Sequence, residues 1–387
     1  MISSRLPKNL QLNAVARALD AKRRGGVPLL DLTETNPTRA GFDYPNNLLE
    51  PLAHPRALDY DPQPLGLWPA RAAVAADFRR RGMVISADRV ALTSSTSEAY
   101  ALLFKLLCNA GDAVLVPQPS YPLFEHLTQL ESVVAVPYAL DYHGGWRIDL
   151  DSIQQAATDR VRAMLLVSPN NPTGSFLHRD DLSAIAAIAA TRGWAIIGDE
   201  VFADYPLDPA PNAAAVLPGA ELLTFSLGGL SKSAGLPQLK LGWIGFGGPT
   251  DIVDRTIAAY EVMADAYLSV STPVQAAAVE LIEHGAVIRA QILSRLRRNL
   301  DALRSLAAEH PSVEVLKVEG GWSAVLKVPQ LRSDEALVLE LLEEDDVLVH
   351  PGYFFDFARE AFVVVSLLVE PMAFDRAIGR VLKRAAS

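Results

Sequence analysis

Between residues 89 and 248, short apolar runs alternate with longer segments that carry a helical or loop pattern. These runs predict seven strands, at residues 90–92, 113–116, 133–137, 163–167, 195–197, 222–225 and 242–246. Continuously apolar strands separated by helices are typical of a mostly parallel sheet that helices cover on both faces. The pattern therefore predicts a large, doubly wound α/β domain built on a mostly parallel seven-stranded sheet.

The C-terminal third of the chain carries a different pattern. It predicts a long charged helix at 274–309, strands at 313–318 and 322–328, a helix at 333–344, and strands at 347–350 and 362–367. Near the N-terminus we expect a short helix at 12–24 and then a strand that breaks at Asn36-Pro37. Because 387 residues exceed what one compact core usually holds, two domains are expected. We place the large domain at 48–272, and a smaller α+β domain at 273–387 together with an N-terminal arm at 1–47.

Composition narrows the class of protein. Half of the residues are hydrophobic and the formal net charge is −10, with no basic cluster, so a nucleic-acid surface is not expected. No apolar run is long enough to cross a membrane and no signal-peptide pattern opens the chain, which predicts a cytoplasmic protein without membrane contacts. The histidines show no metal-ligand spacing, and the single cysteine, Cys108, lies in an apolar helical pattern. Neither a metal site nor a disulfide is therefore predicted.

Ligands of doubly wound sheets bind beyond the carboxyl ends of the strands, and unusual polar residues of this chain follow several predicted strands. The run T-S-S-T-S-E-A (93–99) follows the first strand and leads into a helix. Ser95 and Glu98 have the spacing of a capping box. The consecutive hydroxyl groups, including those of Thr96 and Ser97, also suit an anion such as phosphate at the helix N-terminus.

Three further polar or aromatic residues follow later strands. Tyr121 lies in a proline-rich loop, P-Q-P-S-Y-P, and either stacks on a planar ring or packs in the core. Asn171, held extended by the proline after it, either donates an amide N–H to a ligand oxygen or belongs to a generic turn. Asp199 ends a strongly apolar strand, where a carboxylate is costly unless it has a cationic partner such as a protonated ring nitrogen.

Lys232 is the first candidate for chemistry. It follows an apolar strand and two glycines and lies among small residues, in the sequence L-S-K-S-A-G. Burial among such neighbours would lower the pKa of its amine and make it a nucleophile. A lysine that extends its ammonium group into solvent at a loop exit remains the alternative at this point.

Five features together describe a site for pyridoxal 5′-phosphate: an amine nucleophile, a phosphate site, a stacking aromatic ring, an amide and a buried carboxylate. Three segments carry a resemblance to a known family: S-P-N-N-P-T-G, G-D-E-V-F and L-S-K-S-A-G-L-P-Q-L-K-L-G-W. In this order they resemble the fold-type I, class I and II aminotransferases of the aspartate aminotransferase superfamily. The resemblance extends from about residue 30 to the C-terminus.

On the ring side of the cofactor, the resemblance implies that Lys232 forms the internal aldimine and that Asp199 pairs with the pyridinium nitrogen. It also implies that Asn171 binds the ring oxygen O3′ and that Tyr121 stacks on the ring. The family motif D-E-x-Y supplies a tyrosine to O3′, where this chain has Phe202. One donor to the phenolate is therefore missing, and we expect a raised aldimine pKa.

On the phosphate side, the resemblance implies that Thr96 and Ser97 hold the phosphate. The family usually has a serine three residues before the lysine and an arginine eight residues after it, whereas this chain has Gly229 and Lys240. One hydroxyl is lost and a forked guanidinium becomes a point charge. Ser231 is the available replacement for the hydroxyl.

The largest departure concerns the substrate. The last strand of the family usually carries R-x-S, whose arginine binds the substrate α-carboxylate, but this chain reads F-V-V-V-S with Val364 at that position. A bidentate clamp is thus absent. Either another cation takes its place, with Lys327 and Arg39 as candidates, or the substrate is not an ordinary α-amino acid.

Three more residues are expected near the substrate. Thr35 and Asn36 lie where the family carries a small glycine. Trp322, in the sequence E-G-G-W, either lines the pocket or packs in the core.

The resemblance implies an aminotransferase that moves an amino group between an amino acid and a 2-oxo acid. Tyr60 matches the tyrosine that reaches the phosphate in the neighbouring subunit, which implies a homodimer. Two alternatives stay open from the sequence: another fold-type I reaction (decarboxylation, elimination or oxidation) and a cofactor-binding module without turnover. The residues define the electron sink better than they define which bond at Cα breaks.

Overall fold

The computed structural model describes residues 2–7, 11–217 and 221–387. Its strands are β1 (Leu30–Asp31), β2 (Val90–Thr93), β3 (Ala113–Gln118), β4 (Val134–Tyr142), β5 (Trp146–Ile148), β6 (Val161–Val167), β7 (Ala195–Asp199), β8 (Thr224–Gly229), β9 (Gly242–Gly247), β10 (Glu314–Val315), β11 (Ser323–Lys327), β12 (Val347–Leu348), β13 (His350–Pro351) and β14 (Phe362–Ser366). Its helices are α1 (Ala14–Arg24), α2 (Trp68–Arg80), α3 (Thr96–Leu107), α4 (Leu123–Leu130), α5 (Leu150–Ala156), α6 (Arg179–Arg192), α7 (Leu230–Ser233), α8 (Thr250–Ala264), α9 (Thr272–Ala276), α10 (Ala278–Ala307), α11 (Asp334–Glu344) and α12 (Pro371–Ala385).

The large sheet has the strand order β2-β9-β8-β7-β6-β3-β4-β5. Strands β8, β7, β6, β3 and β4 run in parallel, whereas β9 is antiparallel to both β2 and β8. All seven predicted strands lie in this sheet, which confirms the mostly parallel α/β class. The predicted number of strands is wrong by one, because β5 adds an antiparallel edge strand. Only Trp146 of its three residues is buried, so β5 forms no apolar run that a sequence pattern could reveal.

The central strands are apolar on both faces. In β3, Val114 and Val116 pack with α3 and α8 on one face, whereas Leu115 packs with α5 and α6 on the other. Removing each large apolar side chain from water contributes about 1.5–3 kcal/mol. The interior of the sheet is therefore a packed core, and the ends of its strands are left for polar chemistry.

The second sheet is antiparallel and has the order β10-β11-β14-β13. Helices α10, α11 and α12 cover the face that carries Ala324, Leu326, Val363 and Val365. The N-terminal arm joins this part of the molecule through β1, which pairs in parallel with β12. The predicted domain limits, 48–272 against 1–47 and 273–387, stay a prediction.

Three elements of the C-terminal third differ from their predicted limits. The helix predicted at 274–309 is interrupted at Ala277, between α9 and α10. The strand predicted at 347–350 is divided, because β12 pairs with β1 whereas β13 pairs with β14. The strand predicted at 313–318 is reduced to β10. Strand limits depend on partners that lie far away in sequence, and periodicity does not reveal those partners.

None of the helices in the described ranges is long and apolar enough to cross a membrane. The cytoplasmic location stays a prediction.

Candidate active site

The candidate residues lie at one edge of the large sheet, which we call the carboxyl edge; it comprises the ends of β2, β6, β7 and β8 and the start of β9. There Thr93 pairs with Gly242, and Gly242 with Gly229. On the next strand, Asp199 pairs with Leu227. Loops that leave adjacent parallel strands at their carboxyl ends converge. The carboxyl edge therefore collects residues from several segments that are distant in sequence.

Lys232 lies in α7, a single helical turn that starts directly after β8. Gly235, with a φ angle of 64°, ends the turn and directs the chain towards β9, a conformation that glycine adopts without strain. The Tyr205 hydroxyl donates to the carbonyl of Lys232, and the Tyr44 hydroxyl donates to the carbonyl of Gly235 at 2.6 Å. Two tyrosines from other segments thus hold the backbone that presents the Lys232 amine.

Aromatic rings surround the amine of Lys232. Its Nζ lies 4.5 Å from the ring centre of Trp322 and 5.4 Å from that of Phe202, and these two rings meet edge to face with centroids 5.4 Å apart. Burial lowers the pKa of Lys232 to about 8, although the Asp199 carboxylate opposes the shift. A neutral, nucleophilic amine is therefore accessible close to physiological pH.

Asp199 ends β7 with its side chain buried. The Tyr100 hydroxyl donates to Oδ2 at 2.9 Å, and the Val201 N–H donates to Oδ1 at 3.2 Å. Burial raises the pKa of Asp199 to about 6, and the hydrogen bond from Tyr100 is the largest opposing effect. Lys232 contributes only the smallest of the opposing effects, so the carboxylate still lacks a strong cationic partner.

Tyr100 was not predicted from the sequence. A signal was available, because Tyr100 follows Thr96 by four residues in α3 and residues with that spacing share one face of a helix. The helix that presents hydroxyl groups at its N-terminus therefore also supports the Asp199 carboxylate.

The Asn170 side chain connects two of the predicted segments. It accepts a hydrogen bond from the Ser120 hydroxyl at 2.8 Å, which places the loop that carries Tyr121 beside the loop that carries Asn171. Burial raises the pKa of Tyr121, and the negative charge of Asp199 raises it further. Tyr121, which is 45% exposed, therefore lies within electrostatic reach of Asp199.

Asn171 faces the second sheet. The hydroxyl of Ser323, at the start of β11, lies 3.4 Å from Oδ1 of Asn171 and donates to it. Since this contact uses the amide oxygen, the Nδ2 donors of Asn171 are available to a ligand. Ser323 was not predicted, because no local pattern shows that β11 starts beside this loop.

Thr96 and Ser97 are the first residues of α3. Ser95 Oγ accepts from the Glu98 N–H at 3.2 Å, and the Glu98 carboxylate accepts from the Ser94 N–H at 2.6 Å. These contacts confirm the predicted cap. The cap uses Ser95 and Glu98, so the hydroxyls of Thr96 and Ser97 are not needed for it.

Lys240 and Ser231 lie at the same corner of the sheet. Lys240 is exposed and lies two residues before Gly242. Gly242 pairs with both Thr93 and Gly229. Ser231 lies in α7, two residues after Gly229. Register therefore brings the segments that carry both residues near the N-terminus of α3.

Val364 occupies a buried position on β14, opposite Val325 on β11 and His350 on β13. Two residues later, the Ser366 hydroxyl donates to the carbonyl of Glu34 at 2.6 Å. This contact brings the following residues, Thr35 and Asn36, to the end of β14. The Asn36 side chain caps a short turn by accepting from the Thr38 N–H at 3.1 Å.

Three of the predicted residues, Lys327, Arg39 and Tyr60, have exposed side chains. The ammonium group of Lys327 lies 3.8 Å from the Glu314 carboxylate, and both side chains are more than half exposed. Lys327 is also four residues from Ser323 along β11, a distance of about 13 Å. Arg39 is exposed, and Tyr60 is 80% exposed.

Comparisons with known proteins agree with this geometry. The family model for class I and II aminotransferases matches residues 64–381. Glutamate-pyruvate aminotransferase AlaA of Escherichia coli K12 is 30% identical over 361 residues, which cover 90% of this chain and 89% of that protein. An alanine aminotransferase of Mycobacterium tuberculosis H37Rv is 28% identical over 337 residues, or 84% of this chain and 78% of that protein.

Solved structures agree as well. An aminotransferase from Escherichia coli has a TM-score of 0.88 at 26% identity and covers 99% of this chain and 97% of its own. Alanine aminotransferase from Pyrococcus furiosus has a TM-score of 0.89 at 25% identity, with 99% of both chains covered. The fold and the family match together show that the chain belongs to the class I and II aminotransferases and is an enzyme that transfers an amino group between an amino acid and a 2-oxo acid.

Proposed function

We propose that this aminotransferase binds pyridoxal 5′-phosphate through a covalent link to Lys232. The observation that carries the proposal is the pair of buried ionisable groups at the carboxyl edge, the Lys232 amine and the Asp199 carboxylate. Burial moves the two pKa values towards each other, to about 8 and about 6. Such shifts at neighbouring positions favour a functional site over a structural ion pair.

The residues present fit the ring of this cofactor. The Asp199 carboxylate is buried without a strong cationic partner, which suits a protonated ring nitrogen. The free Nδ2 donors of Asn171 suit the ring oxygen, and Tyr121 suits stacking on the ring. Phe202 gives no donor to that oxygen and instead forms part of the apolar surface around Lys232.

The phosphate group fits the corner formed by Thr96, Ser97, Ser231 and Lys240. The hydroxyl groups and the N-terminus of α3 donate hydrogen bonds there. Lys240 adds positive charge without the fork of a guanidinium. We therefore expect the phosphate to be held mainly by hydroxyl and backbone donors.

When bound, the cofactor supplies an aldehyde for the substrate amine and a ring that accepts the electron pair of the Cα–H bond. The chain itself supplies the groups that move protons and stabilise charge. Lys232, about half of which is neutral at pH 8, acts as the base that takes the proton from the substrate Cα. Asp199 keeps the ring nitrogen protonated, and Trp322 and Phe202 keep water away from the Lys232 amine.

The active species in this proposal is a homodimer. The 80% exposure of Tyr60 supports it, because an aromatic side chain at such a position is well suited to a partner surface. Each site would then be completed by Tyr60 of the partner subunit.

The names of the relatives suggest the first substrates to test. They are glutamate-pyruvate and alanine aminotransferases, so we propose alanine and glutamate as donors. Because Val364 replaces the arginine that resemblance leads one to expect, we also propose weak affinity for the α-carboxylate of both donors.

Borohydride reduction followed by peptide mapping tests the covalent link. Reduction should attach the cofactor to Lys232 in the wild-type enzyme, and Lys232→Ala should lose both attachment and turnover. Lys105→Ala is the matched control. Lys105 lies in the last turn of α3, and its Nζ is 2.5 Å from Oε1 of Glu131. Attachment to a different lysine would refute the proposed site.

A further inference from the structure

The face of the second sheet around Val364 is defined by strand register. Residues directly opposite each other in antiparallel strands project from the same face, with Cβ atoms about 4.5–5.5 Å apart. The face that carries Val364 therefore also carries Ser323, Val325, Lys327, Phe362, Ser366 and His350. We call it the Val364 face.

One end of the Val364 face reaches the active site. Ser323 contacts Asn171, and Val364 is the diagonal neighbour of Ser323, a separation of about 7–8 Å. His350 lies directly opposite Val364 on the next strand. His350 is thus the cross-strand neighbour of the position at which the resemblance leads one to expect an arginine.

The surroundings of the His350 ring fix its orientation. It stacks on Phe354 with centroids 4.6 Å apart and planes 3° apart, and it meets Phe355 edge to face at 5.5 Å. The carbonyl of Phe355 accepts from the Ser120 N–H at 3.0 Å, next to Tyr121. Packing therefore holds the imidazole beside the loop that supports the cofactor ring.

No hydrogen bond within the described ranges involves a ring nitrogen of His350, so its N–H donor is unused. Burial lowers the pKa of His350 to about 4, and the Asp31 carboxylate opposes the shift. The Asp31 carboxylate acts on the imidazole and the backbone of Glu34 lies at the end of β14, whereas Lys327 is paired with Glu314 at the far end of the face. The imidazole is thus a hydrogen-bond donor that an incoming carboxylate can use at this end of the face.

We infer that His350 binds the α-carboxylate of the substrate in place of the arginine that Val364 replaces. The bond is a single N–H donated to one carboxylate oxygen. A bound carboxylate favours the protonated imidazole, so binding itself strengthens the contact. The inference rests on the proposed site at Lys232 and names its carboxylate-recognition residue.

The test compares donors with and without the carboxylate. Two pairs of amino donors are compared in the first half-reaction, in which the donor gives its amino group to the bound cofactor. The pairs are phenylalanine with 2-phenylethylamine, and alanine with ethylamine. His350→Phe keeps the aromatic packing and removes the donor, and His350→Gln keeps an N–H. His143→Phe, at an exposed turn before β5, is the matched control.

We expect His350→Phe to lower kcat/KM for the amino acids by about 10- to 100-fold, the effect of one hydrogen bond to a charged group. The loss should be mainly in KM, while the amines change less than about twofold. His350→Gln should recover part of the loss, and His143→Phe should match the wild type.

Two results would overturn the inference. One is an unchanged preference for amino acids over amines in His350→Phe; the other is an equal loss for both donor types. If His350→Phe fails to fold, an unchanged KM for amino acids in His350→Ala and His350→Leu, which leave no donor, overturns it equally. Absence of any Lys232-dependent turnover in the wild type would instead refute the proposed function.

Discussion

The carboxyl edge of the large sheet and the Val364 face of the second sheet are built differently. At the carboxyl edge, Lys232 and Asp199 are buried ionisable groups whose positions are held by tyrosines from other segments. On the Val364 face, His350 lies opposite Val364 and packs against the rings of Phe354 and Phe355. In our proposal, the first region holds the groups that carry out amino transfer, whereas the second selects the substrate.

This difference between the two regions indicates which amino-acid substitutions each of them tolerates. A buried charge that loses its partner costs several kcal/mol, so the carboxyl edge accepts little substitution. Apolar side chains on a sheet face exchange at much lower cost when their volume is similar. Substrate recognition can therefore vary on the Val364 face while the chemistry at Lys232 is retained.

The strongest test of this division is Asp199→Ala. We expect the fold to stay intact while turnover falls at least about a hundredfold, which corresponds to a few kcal/mol of transition-state stabilisation. The measurement is kcat together with the Tm of the loaded enzyme. Asp141→Ala, an exposed carboxylate on β4, is the control. Near-normal turnover of Asp199→Ala would mean that the carboxyl edge does not hold the ring nitrogen protonated.

On the Val364 face, Val364→Arg should lower KM for alanine or glutamate. The expected gain is about 1.5–3 kcal/mol, the scale of one hydrogen bond to a charged group, or about 10- to 100-fold. Val364→Met has a similar length without charge and should give no gain. The measurement is KM with each donor.

KM values of the wild-type enzyme could contradict this expectation. If the wild type already has a sub-millimolar KM for these donors, and neither Lys327→Ala nor Arg39→Ala changes that value, the view of a missing or displaced clamp fails.

The pH dependence of cofactor attachment tests the burial of Lys232. Only the neutral amine attacks the cofactor aldehyde, and its pKa is lowered to about 8. The neutral fraction then rises from about 10% at pH 7 to about 90% at pH 9, so the attachment rate of cofactor-free enzyme should rise about tenfold and level off. Nα-acetyl-lysine is the control in free solution. A rate that keeps rising beyond pH 10 would indicate a solvated amine.

Tyr60 tests whether the carboxyl edge is complete within one chain. Lys232→Ala and Tyr60→Ala subunits, each of low activity, should recover activity when mixed, because a heterodimer regains one intact site. In an equal mixture half of the dimers are heterodimers, so recovery should reach about a quarter of the wild-type value if subunits associate at random. No recovery, under conditions where labelled subunits demonstrably exchange, would count against a shared site.

Much of the fold and of the carboxyl edge could be predicted from local signals. Buried strands leave apolar runs, and several of these runs are followed by a residue type that is out of place in a loop, such as Lys232 or Asp199. Because parallel strands end at one edge, sequence order alone suggested that these residues meet. The edge strand β5 escaped detection, since its three residues pair on one side only and bury little.

The residues that support the site were harder to find. Tyr100 lies in a helix that looked fully explained by its cap and its apolar face, and Tyr205 contacts Lys232 through a backbone carbonyl. Ser323 and Asn171 are separated by 152 positions. Such contacts depend on how helices and loops pack, and neither propensity nor periodicity carries that information.

The sequence by itself determined the α/β class, the identity of the nucleophile candidate and the carboxylate that follows β7, because each depends on short-range patterning and on residues that are costly to bury. Only the tertiary structure decided what surrounds Val364. The register of β13 against β14 is set by long-range packing, and it placed His350 beside Val364 while it left Lys327 with Glu314 at the far end of the sheet. Cross-strand neighbours arise from pairing between distant segments, so they become visible only once the sheet is assembled.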